Sequence, residues 1–167
     1  MSYTSHRLFN EMPRNLLAII LFCLSSCAPT PHEQEAASKV CRLAEAVLSF
    51  NSQYGYNPVP TNKMGLTTMG AALPVLLALS NSTSAAELNP QAIHFLDVPP
   101  HRLQHGEYLD PWENPYHLAI ANADEHTTEV GGTIISAPVA VWSDGRNGKD
   151  ESGRGDDICS WKSLVRK

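Results

Sequence analysis

"AVWSDGRNGKDESGRGDDICSW", Ala140 to Trp161, joins a strand-like apolar run to a loop crowded with acids and glycines. An apolar run stops at Trp142. Six carboxylate or amide side chains follow within fourteen residues: Asp144, Asn147, Asp150, Glu151, Asp156 and Asp157. Gly145, Gly148, Gly153 and Gly155 interrupt them, and glycine lets a backbone fold tightly enough to turn carbonyls inward. Three uses fit this composition: a solvated turn, an Asp156–Asp157 acid pair, or a cage for a hard cation. Neighbouring residues on an extended chain point to opposite faces, which argues against the acid pair. Calcium takes about six to eight oxygens from carboxylates, amides and carbonyls, and this loop is rich in all three. It is not an EF-hand, because that spacing and its terminal Glu are absent.

Working outward from the loop, "PVAVWS" (Pro138–Ser143), "TTEVGGTIIS" (Thr127–Ser136, with a Gly-Gly break) and "PYHLAIANA" (Pro115–Ala123) read as three short strands. In sequence they suggest an antiparallel meander. Further upstream the period changes. From Glu33 to Tyr54 the pattern is helical, with Val40, Leu43, Ala44, Val47, Leu48 and Phe50 mostly on one face. Glu33, Glu35 and Glu45 lie toward its start, where a helix favours negative charge. Gly55 and Pro58 should end it. Leu66–Leu79 reads as a second apolar helix, capped by Thr67 or Thr68 and kinked or split at Pro74. Gln91–Val98 fits a short strand or turn. The expected class is α+β: an N-terminal helix packed on a small antiparallel three-stranded sheet, closed by the C-terminal loop.

Composition narrows the function. Apolar residues are 43% and charged residues 17% of the 167, as in a globular chain. The net charge is −5 with no basic stripe, which speaks against nucleic acid as a partner. Motifs of serine hydrolases, zinc proteases and phosphate loops are absent. His101 and His105 in "HRLQH", with Glu107 after them, would share zinc only on a helix, and Pro99, Pro100 and Gly106 hem the segment in. Trp112, Tyr116, Trp142 and Trp161 read as core and corner residues, since large aromatics dominate burial in small cores.

The N-terminus reads as a targeting segment. Arg7 and Arg14 precede an apolar core of nine residues, Leu16–Leu24, shorter than the roughly 20 that a membrane-spanning helix needs. Leu24-Ser25-Ser26-Cys27 resembles the lipobox of bacterial lipoproteins. That resemblance implies cleavage before Cys27 and lipidation of its sulfur; an ordinary cleaved signal peptide is the other reading. The division is then a signal peptide over 1–26, a tether over 27–35 and a globular domain over 36–167. Cys23 leaves with the signal and Cys27 takes the lipid. Cys41 and Cys159 remain, a natural disulfide pair in an exported protein, with two buried thiols as the alternative.

Two separated segments carry a further resemblance. "LDPWENPYHL" (Leu109–Leu118), then about 25 residues later "VWSDGRNG…GDDICSW", resemble the periplasmic domain of the major pseudopilin, the G subunit, of type II secretion systems. Asp110, Pro111, Trp112, Pro115 and Tyr116 match the first motif. Ser143, Gly145, Gly148, Asp156, Asp157, Ile158 and Trp161 match the second. The resemblance implies a calcium-binding closing loop. Asp156 and Asp157 match its paired acidic ligands, and Asp144 and Lys149 match positions that donate backbone carbonyls. Asn147 stands where the family has Asp, so the cage loses a charge. Ser143 matches a lesser ligand. Glu113 replaces the usual Gly of the first motif. The long apolar helix that packs pseudopilins into a filament is not legible in this sequence. The expectation is a non-enzymatic, calcium-stabilised head on a lipid anchor at the periplasmic face of the cell envelope. Its partners would be proteins of a secretion or pilus-like apparatus. The alternative is a small envelope enzyme or carbohydrate-binding protein that reuses the head.

Overall fold

An apolar stripe on one long helix sets the layout. In the computed structural model, which describes residues 28–58, 69–70, 79, 86–121 and 125–163, helix α1 runs from Pro31 to Tyr54. Ala36, Val40, Leu43, Ala44, Val47 and Phe50 repeat at three- and four-residue spacing and are all buried. Leu48 falls one step off that stripe and is exposed, so it does not join the core as the periodicity predicts. The helix ends where Gly55 turns left-handed (φ 74°) and its N–H reaches Asn51 O at 2.7 Å. Its first residues, Pro31 to Glu35, lie in the stretch expected to be tether. The compact unit spans Pro31–Lys167.

The helix packs on a four-stranded antiparallel sheet of order β1–β4–β7–β8: Met69–Gly70, His117–Ile120, Val139–Ser143 and Ile158–Cys159. The central pair sets Leu118 opposite Val141, Ala119 opposite Ala140 and His117 opposite Trp142. Every residue of β7 is buried, and the period-two rule explains why. Val139 and Val141 face α1 with Leu118 and Ile120. Ala140 and Trp142 face the other way, into a second cluster with Ala119, Val130, Ile135 and Cys159.

The fold is α+β as expected, with one main helix and small antiparallel sheets, but the three-strand meander needs correcting. Thr128–Val130 (β5) and Thr133–Ile135 (β6) form a hairpin sheet of their own. Gly131 and Gly132 both adopt positive φ (54° and 76°), which a two-residue hairpin turn demands. The Gly-Gly step is therefore a reversal and not a break in one strand, and β4 pairs directly with β7. Leu103–Gln104 (β2) and Glu107–Tyr108 (β3) make another short hairpin. Met69–Gly70 pairs with β4 where a helix is expected, and it occupies hydrogen-bonding edge positions that β4 would otherwise leave open. The rest of the expected 66–79 helix lies outside the described residues, apart from buried Leu79. Gln91–Val98 takes neither helix nor strand; Phe95 and Leu96 both donate to Leu79 O. Tyr116 and Trp142 are core residues, while Trp112 and Trp161 are half-buried.

Candidate metal centre

Asp110 joins the two segments that sequence singles out. It is wholly buried. Its Oδ1 accepts the backbone N–H groups of Trp112 and Asn114, both at 2.9 Å, which closes the Asp-Pro-Trp-Glu-Asn turn. Its Oδ2 accepts the hydroxyl of Ser143 at 2.6 Å, and Ser143 Oγ in turn accepts Gly145 N–H at 3.2 Å. A buried carboxylate is stable only when its oxygens are satisfied, and these three donors do so. Glu113 sits in the same turn at φ 70°, a left-handed position that suits glycine. Arg102 adds a brace: it donates to Asp110 O at 2.9 Å and pairs with Glu35 of α1 at 3.1 Å.

Beyond Ser143 the chain makes a short 3-10 turn, Gly145–Asn147, and then folds back on itself before β8. The four loop glycines all have positive φ. At Gly145 a Cβ would meet Asp156 O at 2.4 Å, and at Gly153 it would meet the Trp161 ring at 2.3 Å. These close approaches place the acidic side chains. One oxygen from each of Glu151, Asp156 and Asp157 falls within 4.8 Å of the others. Asp156 accepts the backbone N–H of Asn147 at 3.0 Å and also its side-chain amide. Glu151 Oε2 accepts Asp156 N–H at 3.4 Å.

Asp157 is the telling residue. It is buried, and its Oδ2 accepts Gly153 N–H at 2.8 Å and Glu151 N–H at 3.1 Å. Its Oδ1 is equally buried and has no hydrogen-bond partner among the described residues. Burial pushes the Asp157 carboxyl above the usual carboxylate range, outweighing the two N–H donors, and Asp144 and Asp150 add to the rise. Three carboxylates thus converge with one buried oxygen unsatisfied, an arrangement that a divalent cation would neutralise.

A second group lies at the β4 end of the loop. His117 stacks on Trp142 with ring centroids 5.1 Å apart and planes at 13°. Its Nε2 lies 2.8 Å from Asp144 Oδ1, and Asp150 completes a trio whose ligand atoms also fall within 4.8 Å. Asp150 Oδ1 accepts the indole N–H of Trp142 at 3.0 Å. Burial raises the Asp144 carboxyl, although His117 opposes the rise.

No family model, curated protein or solved structure matches the chain. The resemblance to the G-subunit head therefore rests on the residues of the two segments.

The expected ligands fare differently. Asp156 and Asp157 converge, joined by Glu151, which counts in the sequence as part of an acidic loop and not as a ligand. Asn147 turns its amide nitrogen, not its oxygen, toward Asp156 and Glu151; its oxygen accepts Lys149 N–H at 2.7 Å. Lys149 is exposed beside it. Asp144 is expected to offer its backbone carbonyl; its side chain faces His117. Ser143 spends its hydroxyl on Asp110. His117 has no sequence signal, since only β pairing brings it to the loop. No disulfide joins Cys41 and Cys159 in the structure. Cys41 packs at the edge of the α1 cluster, whereas Cys159 belongs to the Trp142 cluster and its Sγ lies 3.4 Å from Gly153 O. Burial pushes the Cys159 thiol up to about 11. Cys27 and the signal peptide lie outside the described residues. His101 sits in a 3-10 turn and His105 at the left-handed corner of the β2–β3 hairpin (φ 50°), so the helix that zinc would need there does not form. No described helix is long and apolar enough to cross a membrane.

Proposed function

We propose that this chain is a non-enzymatic, lipid-anchored protein of the cell envelope, with a pseudopilin G-like head ordered by calcium. Its work is protein–protein contact at the periplasmic face, beside a secretion or pilus-like apparatus. The observation that carries the metal reading is the buried, unpartnered Oδ1 of Asp157 beside Glu151 and Asp156. The donors there are all oxygens, which suits a hard cation. Glu151, Asp156 and Asp157 supply the charge, and carbonyls of the glycine-rich loop or water complete the shell. The ion removes the repulsion among three converging carboxylates and holds the loop against β7 and β8. A fixed surface follows, and recognition by that surface is the function. The anchor rests on the lipobox-like Leu24–Cys27, and the choice of partner apparatus rests on the two motif segments.

Calorimetry of the purified full-length chain tests the metal reading. Calcium binds with one equivalent, and Asp157→Ala removes the heat; a wild-type chain that takes up no calcium at millimolar concentration refutes it. Mass spectrometry of the mature N-terminus tests the anchor. A diacylglyceryl Cys27 supports it, and an unmodified or uncleaved N-terminus removes it.

A further inference from the structure

We propose that the end of the head carrying Trp112 and His32 docks on the bilayer surface, with the Trp112 indole in the lipid headgroup layer. The inference rests on the lipid anchor at Cys27 proposed above.

The length of chain before the helix limits where that end lies. A tether over 27–35 would let the head drift from its anchor, but α1 already starts at Pro31. Only Ala28, Pro29 and Thr30 then separate Cys27 from the helix. Fully extended, four Cα steps span at most about 14 Å. The headgroup layer is itself about 5–8 Å deep on each side of a bilayer. An acylated Cys27 therefore keeps the first turn of α1 at the lipid surface.

The residues at that end suit an interface of lipid and water. Trp112 packs edge-on against His32 of the first turn, with ring centroids 5.8 Å apart and planes at 85°. His32 is exposed and Trp112 is half-buried. The backbone N–H of Trp112 is held by Asp110, but its indole N–H makes no hydrogen bond among the described residues. Trp142 differs, since it is buried and gives its indole N–H to Asp150. An indole with one side packed, one side open and a polar tip is the side chain that membrane interfaces favour. Arg102 makes this end rigid: it pairs with Glu35 of α1 and donates to Asp110 O, so the first turn and the Trp112 turn move together. Exposed Glu113 follows Trp112 in an acidic chain, so the fitting headgroup is zwitterionic and not anionic.

The test uses the full-length chain in phosphatidylcholine vesicles, with a nitroxide on the headgroup of part of the lipid. A nitroxide quenches only indoles close to it. Tryptophan emission of the wild type falls, and Trp112→Phe loses that quenching while Trp161→Phe keeps it. A second variant inserts about twenty Gly and Ser residues between Thr30 and Pro31, which lets the head leave the surface and removes the quenching. It leaves the head's own sequence intact, so it decides the matter if Trp112→Phe fails to fold. Quenching absent from the wild type, or undiminished in either variant, overturns the docking. Mass spectrometry of the same sample separates the two readings. Acylated Cys27 without quenching removes the docking alone, whereas unmodified Cys27 removes the anchor and the docking with it.

Discussion

Ser143 donates its hydroxyl to Oδ2 of Asp110 at 2.6 Å, and this buried bond joins the Asp-Pro-Trp turn to the last residue of β7. The turn and the closing loop are thereby one structural unit, although 33 residues separate the two partners in sequence. Ser143→Ala leaves one buried carboxylate oxygen without its donor and should cost about 1–3 kcal/mol. Asp110→Ala strands three donors and should cost more, about 3–5 kcal/mol. Asp110→Asn keeps one acceptor for the two backbone N–H groups and should fall between wild type and Asp110→Ala. Urea unfolding of the three variants measures this order.

Gly145 and Gly153 hold the loop by what they lack. Each has positive φ, and a Cβ would collide with Asp156 O at one and the Trp161 ring at the other. Gly145→Ala and Gly153→Ala should each destabilise by more than the ~1–2 kcal/mol of a left-handed non-glycine residue. Gly132, whose added Cβ would meet nothing within 4 Å, gives the control: Gly132→Ala should lose only the conformational share. Thermal unfolding of the three separates strain from collision.

Asn147 donates its amide to Asp156 and Glu151, so it now serves as a neutral stand-in for positive charge between two carboxylates. Asn147→Asp replaces those donors with a fourth negative group. In metal-free buffer the melting midpoint should fall by about 2–4 °C, as a loss below ~1 kcal/mol gives in a domain of this size. Calcium affinity should rise, because a further carboxylate joins the cage. Calorimetry and thermal unfolding on the same variant check both halves.

The pH dependence has a definite sign. Burial raises the carboxyls of Asp144 and Asp157 in the folded chain, above the ~3.9 of an unfolded aspartate. Between those values the folded state binds more protons than the unfolded one. Their contribution to stability therefore falls as pH rises upward from ~3.9 through the raised values. Calcium binds the ionised form, so its stabilising effect should grow over the same window. Urea unfolding between about pH 4 and 7, in metal-depleted and calcium buffers, should show the two curves separating as pH rises. Asp157→Asn should reduce the separation.

The long helix and the strand Val139–Ser143 were legible because each has an unmistakable period and clear stops. The closing loop was legible by composition, and three of its carboxylates converge. What sequence missed was pairing. Gly131-Gly132 is a local hairpin signal inside what reads as one strand region with a break, but nothing local says that Ile158–Cys159 adds to Trp142–Ser143 or that His117 stands opposite Trp142. Those relations depend on register across long separations. Rotamer choice was also hidden: Asn147 has an oxygen and a nitrogen to offer, and only the folded loop decides which faces Asp156. Cys41 and Cys159 pair well by count, and the structure shows no disulfide between them.

Thermal unfolding of the full-length chain, metal-depleted and then in millimolar calcium, decides whether calcium orders the closing loop. At about 100-fold above the dissociation constant, calcium should add ~2.7 kcal/mol and raise the midpoint by several degrees. Asp157→Ala should melt at the same temperature in both buffers. A wild-type chain whose midpoint is unmoved by calcium has no calcium-ordered loop.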